Sequence, residues 1–100
     1  MSGKVFLNGY IDVPAERLEA VLTALPVHID LTRSEPGCLE FNVTECGTVS
    51  GRLLVAEVFE SQEAFDAHQA RTKASEWFDV TAGLKRNYSV TSENGRTLTD

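Results

Sequence analysis

From Lys4 to Val13 the chain alternates, with Val5, Leu7, Ile11 and Val13 on one side and Phe6, Asn8, Tyr10 and Asp12 on the other. A period of two predicts a strand. Pro14 then suits the first turn of a helix, and Leu18, Val21, Leu22 and Leu25 recur at three and four residues, drawing one apolar stripe. Pro26 is expected to kink or end that helix, which resumes through His28, Ile29 and Leu31 until Glu35-Pro36-Gly37 turns the chain. A second strand is predicted from Cys38 to Glu45, a loop marked by Gly47 and Gly51, and a third strand from Arg52 to Phe59, rich in β-branched and aliphatic residues. Ser61 reads as an N-cap with Glu63 in the first turn of a second helix, which carries Ala64, Phe65, His68 and Thr72 along one face. Ser75 caps a short further helix through Trp77, Phe78 and Val80, Gly83 stops it, and Lys85 to Thr91 supplies the last strand.

This order, strand-helix-strand-strand-helix-strand, predicts an α+β, ferredoxin-like βαββαβ fold with both helices on one face of an antiparallel sheet. A single domain over residues 1–100 is expected, its core spanning about 4–91, with 92–100 a loose polar tail. The first strand carries bulky apolar groups on both sides. So does the third, with Leu53 and Val55 opposite Leu54, Ala56 and Val58. No sequence remains to cover the helix-free face, and a symmetric copy of the same sheet is the economical cover, so a homodimer is expected.

Composition narrows the partners. Fifteen acidic against nine basic residues give a formal charge of −6, which repels phosphate backbones, so nucleic acid is an unsuited partner. No leader pattern and no apolar run near ~18 residues is read, which excludes a membrane span by helix. Cys38 and Cys46 bracket one strand, and eight residues at ~3.3 Å each put them beyond the ~7 Å disulfide limit, leaving free thiols suited to the cytoplasm. A glycine-rich nucleotide fingerprint and a cysteine cluster for metal are both missing.

The run Arg33-Ser-Glu-Pro-Gly-Cys-Leu-Glu-Phe41, followed by Glu57-Val-Phe-Glu-Ser-Gln-Glu-Ala-Phe-Asp-Ala-His68, resembles the antibiotic biosynthesis monooxygenase (ABM) family. The resemblance extends from Lys4 to Val90. It implies a dimeric α+β barrel with a pocket between sheet and helices, and a spread of activities: cofactor-free quinol monooxygenases, haem-degrading oxygenases and an isomerase of a phosphorylated signal. The haem branch uses an Asn in the first strand, a Trp in the second helical region and an axial His after it. Asn8 and Trp77 fit, but no histidine follows Trp77 and Asn87 stands in that region, so no cofactor is expected.

Among the residues that can carry chemistry, His68 lies one turn from Phe65 on the face turned to the sheet, with an ordinary pKa near ~6.5 that suits a base. It is the candidate catalytic base, against a merely structural histidine. Glu57, in an otherwise apolar strand, is read either as the group that orients His68 or as a strand carboxylate paired with Arg52 or Arg86. Asn8 and Tyr10 are donors to a substrate oxygen if their strand face meets the pocket, and partner contacts if it meets a second subunit. Parity alone does not choose. His28 either answers the helix dipole or lines the mouth of the pocket. Phe41, Phe65, Thr72, Trp77 and Tyr88 complete the expected substrate-binding wall, the aromatics chiefly as buried area. His28, His68 and Glu57 are ligand types for zinc or ferrous iron but share no local spacing, so no metal is expected.

The leading functional expectation is a cofactor-independent monooxygenase of a small quinol-like or anthrone-like, enolisable aromatic substrate. Two alternatives stand beside it. One is an isomerase of a small carbonyl compound, with Arg33, Arg71 or Arg86 holding a phosphate, and the other a dimeric ligand-binding domain without activity.

Overall fold

The computed structural model describes residues 3–93 together with Thr97 and Leu98. Its elements are β1 (Val5–Asp12), α1 (Ala15–Arg33), β2 (Cys38–Glu45), β3 (Arg52–Phe59), α2 (Gln62–Lys73), α3 (Glu76–Val80), β4 (Lys85–Ser92) and β5 (Thr97–Leu98). All pairings are antiparallel in the order β2-β3-β1-β4-β5, so the architecture is the ferredoxin-like α+β fold. Two tail features depart from expectation: β4 runs on through Ser92, and Thr97 and Leu98 pair with Thr91 and Val90. The rest of the expected loose tail beyond Glu93 lies outside the described residues.

Alternation sorts the sheet into two faces. Val5, Leu7 and Ile11 of β1, Phe41 and Val43 of β2, Leu53, Val55 and Phe59 of β3 and Val90 of β4 turn towards the helices and are buried. On the other face Asn8 is exposed, Phe6 and Tyr10 are half-buried, and Leu54 is among the most exposed large apolar side chains. The Arg52 guanidinium lies 3.7 Å from the Tyr10 ring centroid and pairs with Asp12 at 2.8 Å, roofing part of this face with a planar cation over an aromatic ring.

Of the two outcomes expected at Pro26, helix α1 rules out an end. The helix runs unbroken through it to Arg33, because Pro26 lies on the exposed side, where distortion of the ladder is met by water rather than by the core. Its buried line is Val21, Ala24, His28 and Thr32, one position aside from the aliphatic stripe: Leu18, Leu22 and Leu25 are only half-buried. Beyond Pro26 the face turned to the sheet is therefore polar, while Val27 and Leu31 point outwards.

Caps fix the remaining elements. The Ser61 hydroxyl accepts from the Ala64 N–H at 3.1 Å, starting α2, and the Ser75 hydroxyl accepts from the Phe78 N–H at 3.4 Å, starting α3. Arg17 donates to the carbonyls of Val80 and Ala82 at 2.7 and 3.0 Å, tying α1 to the end of α3. Arg33 donates to the Phe41 carbonyl at 3.0 Å and to the Asn42 side chain at 3.2 Å, fastening the other end of α1 to β2. Gly37 is buried because α2 passes over it: a Cβ there would fall 2.2 Å from that of Ala64. That close approach brings the Glu35 turn under α2.

Candidate active site

Where the second half of α1 meets α2, polar side chains replace the aliphatic core. His28, Thr32, Glu57 and His68 are each less than a tenth exposed. Glu57 sits mid-row on the sheet, between Phe41 of β2 and Leu7 of β1, and α2 lays His68 above it. Below and beside the His68 ring are Phe59 and Phe41, at 4.9 and 5.9 Å between centroids. Packing on aromatic rings fixes the plane of the imidazole.

Hydrogen bonding then fixes its tautomer. His68 Nδ1 lies 3.1 and 3.2 Å from the two oxygens of Glu35, an acceptor, so Nδ1–H donates. Nε2 of the neutral ring keeps its lone pair, 3.4 Å from the Thr72 hydroxyl and 3.8 Å from Glu57 Oε1. Glu35 is itself gripped by Arg71 Nε, and Arg71 also donates to the Thr32 hydroxyl at 2.9 Å. Burial pushes the His68 pKa below the ordinary histidine value, against the upward pull of Glu35, so the ring is neutral at pH 7. An imidazole held by a carboxylate on one nitrogen and met on the other by the long contact of the Thr72 hydroxyl is built to accept a proton.

His28 is the second unusual group. Its ring stacks flat on Trp77, 4.7 Å between centroids and 5° between planes, and meets Phe41 edge-on at 5.3 Å. Burial, with His68 and Arg71 nearby, drives its pKa down to about 3. Its Nδ1 is buried without a hydrogen-bond partner among the described residues, a vacancy that costs about 1–3 kcal/mol unless something fills it.

These groups border a cavity of 170 Å³ that takes in His28, Glu57, His68, Thr72, Trp77 and Tyr88, with Lys73 and Arg86 adding positive charge to its lining. A dry hollow of about 150 Å³ holds benzene, so this one has room for a single ring. The His28 and His68 rings are 6.1 Å apart between centroids, and among the described residues no three His, Cys, Asp or Glu side chains are placed to share a metal ion.

Of the residues singled out from sequence, His68, Glu57, His28, Thr72, Trp77 and Tyr88 border the cavity. Phe41 backs the two histidine rings, and Phe65 packs on Phe59 at 5.7 Å in the core instead of reaching the cavity. Asn8 and Tyr10 are not brought to it: β1 parity, set by burial of Val5, Leu7 and Ile11, turns them to the helix-free face. The partner that orients His68 is Glu35, which the sequence reading passed over, while Glu57 faces the opposite nitrogen. Arg52, one partner considered for Glu57, is held by Asp12 instead. Spacing offered a signal for Glu35, since His68, Arg71 and Thr72 stand at i, i+3 and i+4 and a helix face that shows a histidine beside an arginine invites a shared carboxylate. All three guanidinia considered for a phosphate are engaged within the fold: Arg33 on the Phe41 carbonyl, Arg71 on Glu35, and Arg86 on Thr81 and the Leu84 carbonyl.

Compared with known proteins, residues 4–80 match the family described as Antibiotic biosynthesis monooxygenase. The chain belongs to the ABM family. Its fold is shared with MupZ from Pseudomonas fluorescens, 22% identical with a TM-score of 0.75 over 92% of this chain and 70% of that one. A candidate ABM monooxygenase from Deinococcus radiodurans is 21% identical, with a TM-score of 0.78 over 96% and 97% of the two chains. Rv0793 from Mycobacterium tuberculosis is 20% identical, with a TM-score of 0.71 over 97% of each. At these identities the likeness speaks for the fold, and no curated protein matches the chain. No described helix is long and apolar enough to cross a membrane.

Proposed function

We propose that this ABM protein is a cofactor-independent monooxygenase of a small quinol, and the observation that carries the reading is His68, oriented by Glu35 at Nδ1 and bordering a cavity with room for one ring. The cavity volume favours a quinol over a three-ring anthrone. His68 Nε2 takes the phenolic proton, and Glu35, steadied by Arg71, stabilises the imidazolium that results. Lys73 and Arg86 favour the phenolate. The electron-rich ring then reduces dioxygen and binds one of its atoms at a ring carbon as a hydroperoxide. Cleavage of the O–O bond leaves one oxygen on the ring and releases the other as water. Quinol and dioxygen thus become hydroxyquinone and water, with two electrons from ring hydroxylation and two from quinol oxidation. His28, neutral at any physiological pH, supports substrate placement, because a hydroxyl can satisfy its buried Nδ1 as donor or as acceptor.

The same reading makes the protein a homodimer through the helix-free face, supported by exposed Leu54 beside half-buried Phe6, Tyr10 and Val58. Light scattering on a sizing column should give twice the chain mass, and a monomer at micromolar concentration refutes the pairing. For the chemistry, an oxygen electrode with substituted hydroquinones should record uptake above buffer, and mass spectrometry should find one atom of labelled dioxygen in the product. No uptake, or full rate in His68→Ala, overturns the assignment.

A further inference from the structure

Outside the cavity, between α1 and the α2–α3 corner, lies a groove of 250 Å³ walled by Ala24, Val27, Leu31, Ala74, His28 and Trp77. Val27 and Leu31 are 56% and 48% exposed, an unusual state for adjacent-turn aliphatic residues in a helix whose other face is buried. The groove and the inner cavity are separate hollows, yet both are bordered by His28 and Trp77. The flat stack of these two rings is therefore the partition between a polar chamber and an apolar trough. One member of that partition carries the buried Nδ1 that lacks a partner.

We infer that the groove is a second subsite of the same ligand: it takes an apolar arm of the quinol whose ring occupies the inner cavity. The inference rests on the ring-binding reading above and extends it to substrate class, an alkyl- or prenyl-substituted hydroquinone rather than a bare one. A ring hydroxyl meets His28 from the chamber side, and the arm reaches Val27 and Leu31 by parting the edge of the His28–Trp77 stack that otherwise separates the two hollows. The chamber is too small for ring and arm together, whereas chamber and trough in series hold both. Water-exposed aliphatic side chains then find cover when the substrate binds, and the ring and the arm are read by different walls.

Trp77 is the chain's sole tryptophan, so its emission reports on both compartments. The experiment is anaerobic titration of the protein with methylhydroquinone and with hexylhydroquinone, followed by Trp77 fluorescence and by calorimetry. The same titrations are made on Val27→Glu and Leu31→Glu, solvent-facing changes compatible with the helix, with circular dichroism as the check on folding. Hexylhydroquinone should bind about tenfold or more tighter than methylhydroquinone, as expected for several methylenes partly withdrawn from water, and the glutamate variants should erase that advantage while the methyl compound binds as before. Equal affinities for the two compounds, or a gain that survives both glutamates, overturn the groove and leave the ring site standing. Binding of neither compound overturns the groove and the quinol reading together. An arm-dependent gain lost in the variants without any oxygen uptake supports the groove and sinks only the oxygenase chemistry.

Discussion

The layer between helices and sheet is dry at one end and polar at the other. Where α1 begins, Ile11, Leu53 and Val21 are wholly buried against one another's elements. Where α1 ends, His28, Thr32, Glu57 and His68 occupy equivalent inward positions and surround a hollow. Both ends have the same depth and the same strands. The first gains stability from apolar area; the second gives up part of that gain to hold a neutral, oriented imidazole at the edge of the hollow.

The comparison breaks most visibly at His68. His68→Ala should keep the fold, since the dry end is untouched, and lower kcat/KM in oxygen uptake by about 10²–10⁴-fold, the usual contribution of a general base. A variant that unfolds would instead make the histidine part of the scaffold. At the opposite end, Leu53→Ala should cost about 2–5 kcal/mol in urea unfolding while leaving kcat near the wild-type value under native conditions. Glu35→Gln should lower activity by about 10–100-fold through the orientation and basicity of His68. Its kcat/KM profile should show the acid limb, already below the ordinary histidine pKa, moved lower still, because the group that raises the His68 pKa has lost its charge.

The smallest effect is the most diagnostic. His28→Phe keeps a flat ring against Trp77 and removes an unpartnered buried nitrogen, so stability at neutral pH should rise by about 1 kcal/mol while quinol binding weakens. The pH dependence supplies the sign. His28 takes up a proton near 6.5 when unfolded but only at about 3 when folded, so its contribution is complete above 6.5 and is lost as pH falls from there towards 3. Melting temperatures of wild type and His28→Phe should therefore diverge across that window, the wild type falling faster. Parallel curves would mean that the ring is already open to water.

How far the chain disclosed this arrangement follows from the kind of information each feature uses. Element order was legible, because alternation in β1 and β3, Ser61 and Ser75 as caps, and Gly83 at its positive φ are local signals that the structure repeats. Whether Pro26 would end α1 was not legible for a tertiary reason: its side of the helix faces solvent, and burial of both flanking halves carries the helix past it. The face of β1 was beyond the reach of parity, since Phe6 and Tyr10 are as bulky as Leu7 and Ile11, and the α1 and α2 contacts decide which set is covered. Glu35 was hidden by long-range geometry. It stands 33 residues from His68 and reaches it because Gly37 lets α2 settle on the turn.

Arg33 has a consequence for how copies of the chain meet. β2 is the outer strand on its side of the sheet, and such a margin is a template on which another chain's backbone can register and grow. The guanidinium on the Phe41 carbonyl takes one of its acceptors, and Glu40 and Glu45 add like charge along the same rim. Strand-by-strand accretion into fibres is discouraged there, which favours the broad-face pairing proposed above over growth from the rim.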